Sequence, residues 1–296
     1  MKQSNQNRRA FTAVELLVVI AILVVFGTLL VPTFAHDNRN QAMAIRCLDN
    51  HSQLIKAWLM YATDSGDYVA NNYTIPGIES SISKWKTSGV SDAWAPNIMT
   101  FGVQGVEPMS TTNSALAQAG VLVPYHQRKI EIYHCPADNF LSAIQKAAGW
   151  RYRLRSVSMN SNWGRTDPSE PKNGASPNSW GYGFPFRQWH RISEVRKPAE
   201  RYVFVDEHAN SINDGFFVVN WAGGGGEYPA TSAGGFWGDV PGFYHNNATP
   251  FGFSDGHTEM KRWLSRAIPV RAGTYISGRA DIRDQQWYVR HVADRL

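Results

Sequence analysis

Cysteine is scarce in this chain, and the sequence patterns that typically bind zinc or nucleotides are missing. Two cysteines, Cys47 and Cys135, occur among 296 residues, and the sequence contains neither a Cys-x-x-Cys nor a His-x-x-x-His pair. Because zinc sites commonly take their ligands from such pairs, we expect no zinc site. The four glycines at 223–226 precede no Gly-Lys-Ser/Thr sequence, so they do not predict a phosphate-binding loop.

Acidic residues are absent from the first ten positions, which contain Lys2, Arg8 and Arg9. These three residues account for more than half of the net charge of +5. The basic balance of the whole chain therefore gives little reason to expect a nucleic-acid partner. Basic residues directly before an apolar segment favour a cytoplasmic N-terminus, so we expect the remainder of the chain to be exported.

An apolar run extends from Leu16 to Val31, and Glu15 stands at its start. Residues 11–31 would span the roughly 30 Å hydrocarbon core of a bilayer, because a helix rises about 1.5 Å per residue. A secretory signal peptide cut after Ala35 and a plain membrane anchor are two interpretations of this run. Neither explains Glu15, since a charge at mid-bilayer costs roughly 2.5–3.5 kcal/mol.

Residues 11–22, Phe-Thr-Ala-Val-Glu-Leu-Leu-Val-Val-Ile-Ala-Ile, resemble the N-terminal signature of type IV pilins and of the pseudopilins of type II secretion. The resemblance implies that residues 1–10 are a leader peptide, which a prepilin peptidase removes between Ala10 and Phe11. It also implies methylation of the new N-terminus. Ala10 departs from the family, in which glycine usually precedes the cut.

In this family the glutamate is the fifth residue of the mature chain, which corresponds to Glu15. The resemblance implies that Glu15 pairs with the Phe11 amine of a neighbouring subunit, and such pairing lowers the cost of burying either charge. Pro32 lies where many pilins carry a proline that kinks the first helix.

Apolar residues continue at helical spacing as far as Ala62, and Gly66 favours a helix end soon after. From residue 67 onward, short apolar runs separated by turn-rich stretches predict an antiparallel sheet with long loops. The expected fold is α+β, with a transmembrane half-helix at 11–32 and an amphipathic half at 33–66. This helix would pack on a β-rich head at 67–296.

Two further segments resemble a family of large prepilin-type proteins. His245 is followed, after nine residues, by Asp255-Gly256, as in the C-terminal signature of that family, and residues 133–138 are similar to its mid-chain motif. Asp255-Gly256 between two apolar runs also predicts a two-residue hairpin turn.

Several side chains are candidates for chemistry or cross-linking. Cys47 and Cys135 could form a disulfide, worth roughly 2–5 kcal/mol, or remain two unpaired thiols. His245 and Asp255 could be metal ligands or a catalytic pair, but we favour structural roles for both. Asp206 and Glu207 follow a predicted strand and are weak candidates for calcium, which requires six to eight oxygen ligands. We expect no other cofactor.

The sequence thus predicts a structural protein without catalytic activity: a prepilin-like subunit of a type IV pilus-like filament or a type II secretion pseudopilus. Its expected partners are the prepilin peptidase and other pilin or pseudopilin subunits. It would cross the inner membrane once, with its head in the periplasm, before assembly. The alternatives are a membrane-tethered module that binds carbohydrate or a surface polymer, and an exported enzyme.

Overall fold

The fold is given by a computed structural model. It describes residues 12–100, 111–170, 186–218, 237–271 and 280–294, and at 27–38 it describes the main chain alone. The expected cleavage positions, Ala10 and Phe11, lie outside this range. The chain forms two compact units, residues 1–42 and residues 43–296.

The first helix, α1, runs from Ala13 to Asp64. Its main chain is helical through Pro32, where the sequence predicts a kink. The helix ends at Asp64, two residues before the expected end at Gly66, which is left-handed with a φ of 66°. The transmembrane part of the predicted fold is wrong, because among the described residues no helix is long and apolar enough to cross a membrane.

The second half of α1 is amphipathic, as its spacing predicts. Leu54, Ile55 and Trp58 are fully buried, and they belong to the same hydrophobic core as Phe204 and Phe251 of the sheet. A helix with an apolar stripe is stabilised by burying that stripe against another element. This packing holds residues 43–64 of α1 against the sheet.

In the described part of the chain, five strands form one sheet in the order β3-β1-β2-β4-β5. The strands are β1 (Val157–Asn160), β2 (Tyr202–Asp206), β3 (Phe216–Phe217), β4 (Ala248–Phe253) and β5 (Thr258–Arg262). All neighbouring pairs are antiparallel except β1 and β3, which are parallel. The predicted purely antiparallel sheet is therefore wrong, and the sheet is mixed.

The parallel pair has a simple origin. Both edges of β2 are occupied, by β1 on one side and β4 on the other. The chain that leaves β2 reverses direction and pairs at the far edge of β1. Because β1 is antiparallel to β2, a strand that reverses after β2 runs parallel to β1.

The described residues form four more helices: α2 (Ile75–Ser88), α3 (Ser114–Ala117), α4 (Ala143–Ala147) and α5 (Ile282–Val292). Short 3-10 helices lie at Val123–His126, Ile130–Tyr133, Ile192–Glu194 and Pro198–Glu200. Neither α2 nor α5 is predicted from the sequence. The structure is therefore a mixed α and β fold that contains more helices than the sequence predicts.

The hairpin predicted at Asp255-Gly256 joins β4 to β5, but its loop is longer than the two residues expected. Residues 254–257 connect the strands, and Gly256 has a φ of 98°, which favours glycine. The Asp255 carboxylate accepts a hydrogen bond from the His257 main-chain N–H at 3.1 Å. The main chain closes the same loop, because the Phe253 N–H donates to the His257 carbonyl at 2.9 Å.

Candidate functional site

Four buried side chains meet in the unit formed by residues 43–296. Cys47 projects from α1, and Cys135 follows the 3-10 helix Ile130–Tyr133. Asp206 is the last residue of β2, and His245 lies three residues before β4. The packing of α1 on the sheet brings Cys47 beside the end of β2, and Cys135 and His245 reach the same place from loops.

The contacts within this group are short. The Cys47 thiol lies 2.9 Å from Asp206 Oδ2, and the Cys135 Sγ lies 3.1 Å from His245 Nε2. One ligand atom from each of the four residues lies within 4.8 Å of every other. His245 is the most exposed of the four, with 5% of its surface accessible. The group could hold a metal ion.

The surroundings set the charge of each group. Burial raises the pKa of Cys135 to about 12, and burial together with its contacts raises that of Cys47 well above the usual range. Burial lowers the pKa of His245. Burial also opposes ionisation of Asp206, but hydrogen bonds from His51 and Cys47 outweigh it and lower the pKa of that carboxyl. Without a metal, the group is a carboxylate facing two thiols and a neutral imidazole.

His51 supports this group from α1 and was not identified from the sequence. Its Nε2 lies 3.2 Å from Asp206 Oδ1, and its side chain is completely buried. A signal was present, since Cys47 and His51 are four residues apart and share one helix face. The carboxylate therefore has one oxygen directed to Cys47 and the other to His51.

The two cysteines are free thiols rather than a disulfide in this structure. They are nevertheless close, since their sulfur atoms belong to the same 4.8 Å group. Of the two possibilities that the sequence leaves open, the structure therefore has the unpaired thiols.

The calcium candidates Asp206 and Glu207 do not converge. Neighbouring side chains alternate between the two faces of a strand. Glu207 accepts hydrogen bonds from Ser158 Oγ at 2.5 Å and Ser211 Oγ at 2.8 Å, while Asp206 faces Cys47 and His51. The group that contains Asp206 also includes two sulfur atoms, which calcium does not prefer.

His245 and Asp255 are not a pair. The six residues of β4 separate them, a length of roughly 20 Å at about 3.3 Å per residue. Asp255 lies in the β4–β5 turn, where its Oδ1 is 2.6 Å from His257 Nδ1. The histidine of the His-x9-Asp-Gly motif therefore lies in the group with Cys47, Cys135 and Asp206. The aspartate of the motif lies in the β4–β5 hairpin.

The start of α1 forms a second feature, in the unit of residues 1–42. The Thr12 main-chain N–H and hydroxyl each donate to Glu15 Oε2 at 2.8 Å, and the Glu15 N–H donates back to Thr12 Oγ1 at 3.3 Å. This reciprocal arrangement is a capping box. The main-chain bond, followed by the hydroxyl bond, lowers the pKa of Glu15.

No family model, no curated protein and no solved structure matches this chain.

Proposed function

We propose that this chain is a structural, prepilin-like subunit. A prepilin peptidase cuts it between Ala10 and Phe11, and the mature subunit then assembles through α1 into a pilus-like filament or a type II secretion pseudopilus. The resemblance of residues 11–22 to the pilin signature suggests this function, and the surface of α1 supports it.

The main support is the exposure of apolar side chains all around the first turns of α1. The large apolar residues from Val14 to Phe26 are between 43% and 69% exposed. They are Val14, Leu16, Leu17, Val18, Val19, Ile20, Ile22, Leu23, Val24, Val25 and Phe26. Consecutive residues of a helix point in directions about 100° apart, so this run covers every side of the helix.

A helix that is apolar on all sides is normally buried. One flat partner would cover only part of this surface, whereas a bundle of similar helices would surround it. We therefore assign the covering role to the same segment of other subunits. In such a bundle the helices form the filament core.

Glu15 favours one particular axial offset between neighbouring helices of the bundle. It is the single charged residue between positions 12 and 26. A carboxylate that enters an apolar bundle needs an opposite charge, because an unpaired buried charge is strongly destabilising. In the proposed assembly, the amine created at Phe11 of a neighbouring subunit supplies that charge.

The first experiment examines processing in a host that contains a prepilin peptidase. N-terminal sequencing and intact mass should show a chain that begins at a methylated Phe11. A mature chain that begins at His36 would instead indicate a secretory signal peptide and would refute the proposal.

The second experiment examines assembly. Glu15→Gln keeps the size of the side chain and removes its charge, so we expect at least a tenfold loss of filaments with processing unchanged. Glu79→Gln, an exposed change on α2, is the matched control and should assemble normally. Normal filament yield from Glu15→Gln would exclude the charge-pairing mechanism. If the native protein is processed but stays monomeric, the result would favour the tethered binding module.

A further inference from the structure

We propose that Cys47, Cys135, Asp206 and His245 bind one zinc ion in a closed, structural site. This proposal is independent of filament assembly, because all four residues belong to the unit formed by residues 43–296. It replaces the expectation, based on ligand spacing, that the chain has no zinc site.

The donor set favours zinc over the other common ions. Two thiolates, one imidazole and one carboxylate provide two sulfur, one nitrogen and one oxygen ligand. Zinc accepts all three atom types and is usually four-coordinate in structural sites. Calcium and magnesium select oxygen ligands, so the two cysteines count against both.

The distances are compatible with one tetrahedral ion. Zinc bonds of about 2.0–2.3 Å place neighbouring ligand atoms of a tetrahedron about 3.3–3.8 Å apart. The Cys47–Asp206 and Cys135–His245 contacts are shorter, at 2.9 and 3.1 Å, since each is a hydrogen-bond distance. The remaining pairs are no further apart than 4.8 Å. Shifts of roughly 0.5–1.5 Å in these atom separations would convert the group into a tetrahedron.

Burial indicates a structural role for the ion. Cys135 and Asp206 are fully buried, and Cys47 and His245 are 1% and 5% exposed. Catalytic zinc sites keep a position open for water or substrate, whereas structural sites take four protein ligands. With four ligands and almost no exposed surface, this group fits the second type.

His51 is a positioning residue for this site. Its contact with Asp206 Oδ1 leaves Oδ2 directed toward Cys47 and the rest of the group. Such outer partners fix the orientation of a metal ligand, and losing one typically weakens metal binding 10–100-fold. His51→Phe should therefore bind zinc 10–100-fold more weakly with unchanged stoichiometry, and His51→Gln, which keeps an N–H donor, should recover part of the loss.

Metal analysis of the full chain, produced in zinc-supplemented medium and purified in metal-free buffer, tests the site. We expect one zinc per chain in the native protein and background levels in Cys47→Ala and His245→Ala. His257→Ala changes an exposed histidine in the β4–β5 hairpin and should retain one zinc per chain. Replacing zinc with cobalt should produce a thiolate-to-cobalt charge-transfer band in the native protein and in His257→Ala.

A second measurement covers the case in which the ligand variants fail to fold. Native protein stripped by a chelator should melt at a lower temperature, and zinc, but not calcium, should restore the original value, because binding to the folded state stabilises it. A native chain that carries no zinc and takes up none in this titration would overturn the proposal. A Cys47–Cys135 disulfide in the intact mass, or a folded His245→Ala that keeps one zinc, would overturn it as well.

Discussion

Replacing Gly164 with alanine should destabilise the protein by about 2–5 kcal/mol. Gly164 has a φ of 71°, and a Cβ added there would lie 2.3 Å from the carbonyl oxygen of Ala70 and 3.0 Å from the Cα of Asn71. The left-handed conformation costs an L-residue about 1–2 kcal/mol. Forcing extra volume into a packed site adds about 1–3 kcal/mol.

Gly66→Ala is the matched control for this change. Gly66 has a φ of 66°, yet a Cβ at this position would meet nothing within 4 Å. It should therefore incur the conformational cost of about 1–2 kcal/mol alone. The difference between the two losses in free energy of unfolding therefore measures the steric cost of the close approach between Gly164 and the segment that follows α1.

Urea unfolding, followed by tryptophan fluorescence, would measure both changes. Trp163 and Trp189 provide a local signal, because their rings are buried beside each other with centroids 4.6 Å apart. The midpoint should fall further for Gly164→Ala than for Gly66→Ala, while the dependence on urea stays the same. Equal midpoints would refute the steric argument and leave the backbone conformation as the whole effect.

Two further predictions concern buried charges in the head. Burial raises the pKa of Asp214 from 3.8 to about 7, so its stabilising contribution is complete below pH 3.8 and is lost as the pH rises through 7. The side chain of Asp214→Asn stays neutral, so the variant should match the native free energy of unfolding near pH 4. Above pH 7 its free energy of unfolding should exceed the native value by up to about 4 kcal/mol. The same dependence of this free energy on pH in both proteins would contradict the prediction. Arg153 lies 3.2 Å from Asp138, and both are 1% exposed, so Arg153→Met should cost about 3–5 kcal/mol by leaving a buried carboxylate. Adding Asp138→Leu should recover part of that loss in a double-mutant cycle, and simple additivity would show that the pair is not coupled.

The sequence predicts the parts of the fold that depend on local periodicity. The end of α1, its amphipathic second half and the β4–β5 hairpin all follow from spacing and turn residues. Other short runs are ambiguous, because four to six apolar residues fit more than one element. The apolar run at residues 129–134 fits a strand by its pattern, yet Ile130–Tyr133 forms a 3-10 helix.

The helix α2, which the sequence does not predict, shows that local patterns alone do not decide where a helix forms. The α2 segment has Gly77 near its start, which lowers the helical signal, while Pro76 is tolerated because it lies in the first turn. Its helix is nevertheless stabilised by packing, since Ile78 and Ile82 are buried in a second small core with Tyr73 and Leu116. Tertiary contacts thus override the weak local preference of this segment.

The candidate metal centre was not predictable by spacing rules. Its four residues are separated by 88, 71 and 39 positions, and each stands alone in its own segment. Sequence patterns detect metal sites when two ligands share one turn or helix. Here the ligands come together through the sheet order, the docking of α1 and the loop that carries Cys135, whose N–H donates to Ser156 Oγ at 2.6 Å.

The order of these four residues along the chain also affects how the protein must be made. Synthesis produces Cys47 and Cys135 before Asp206 and His245, the side chains that contact their sulfur atoms in the folded protein. Both thiols are buried only in the folded chain, so they are accessible to oxidants until folding is complete. A disulfide formed during that interval would compete with the native group of free thiols.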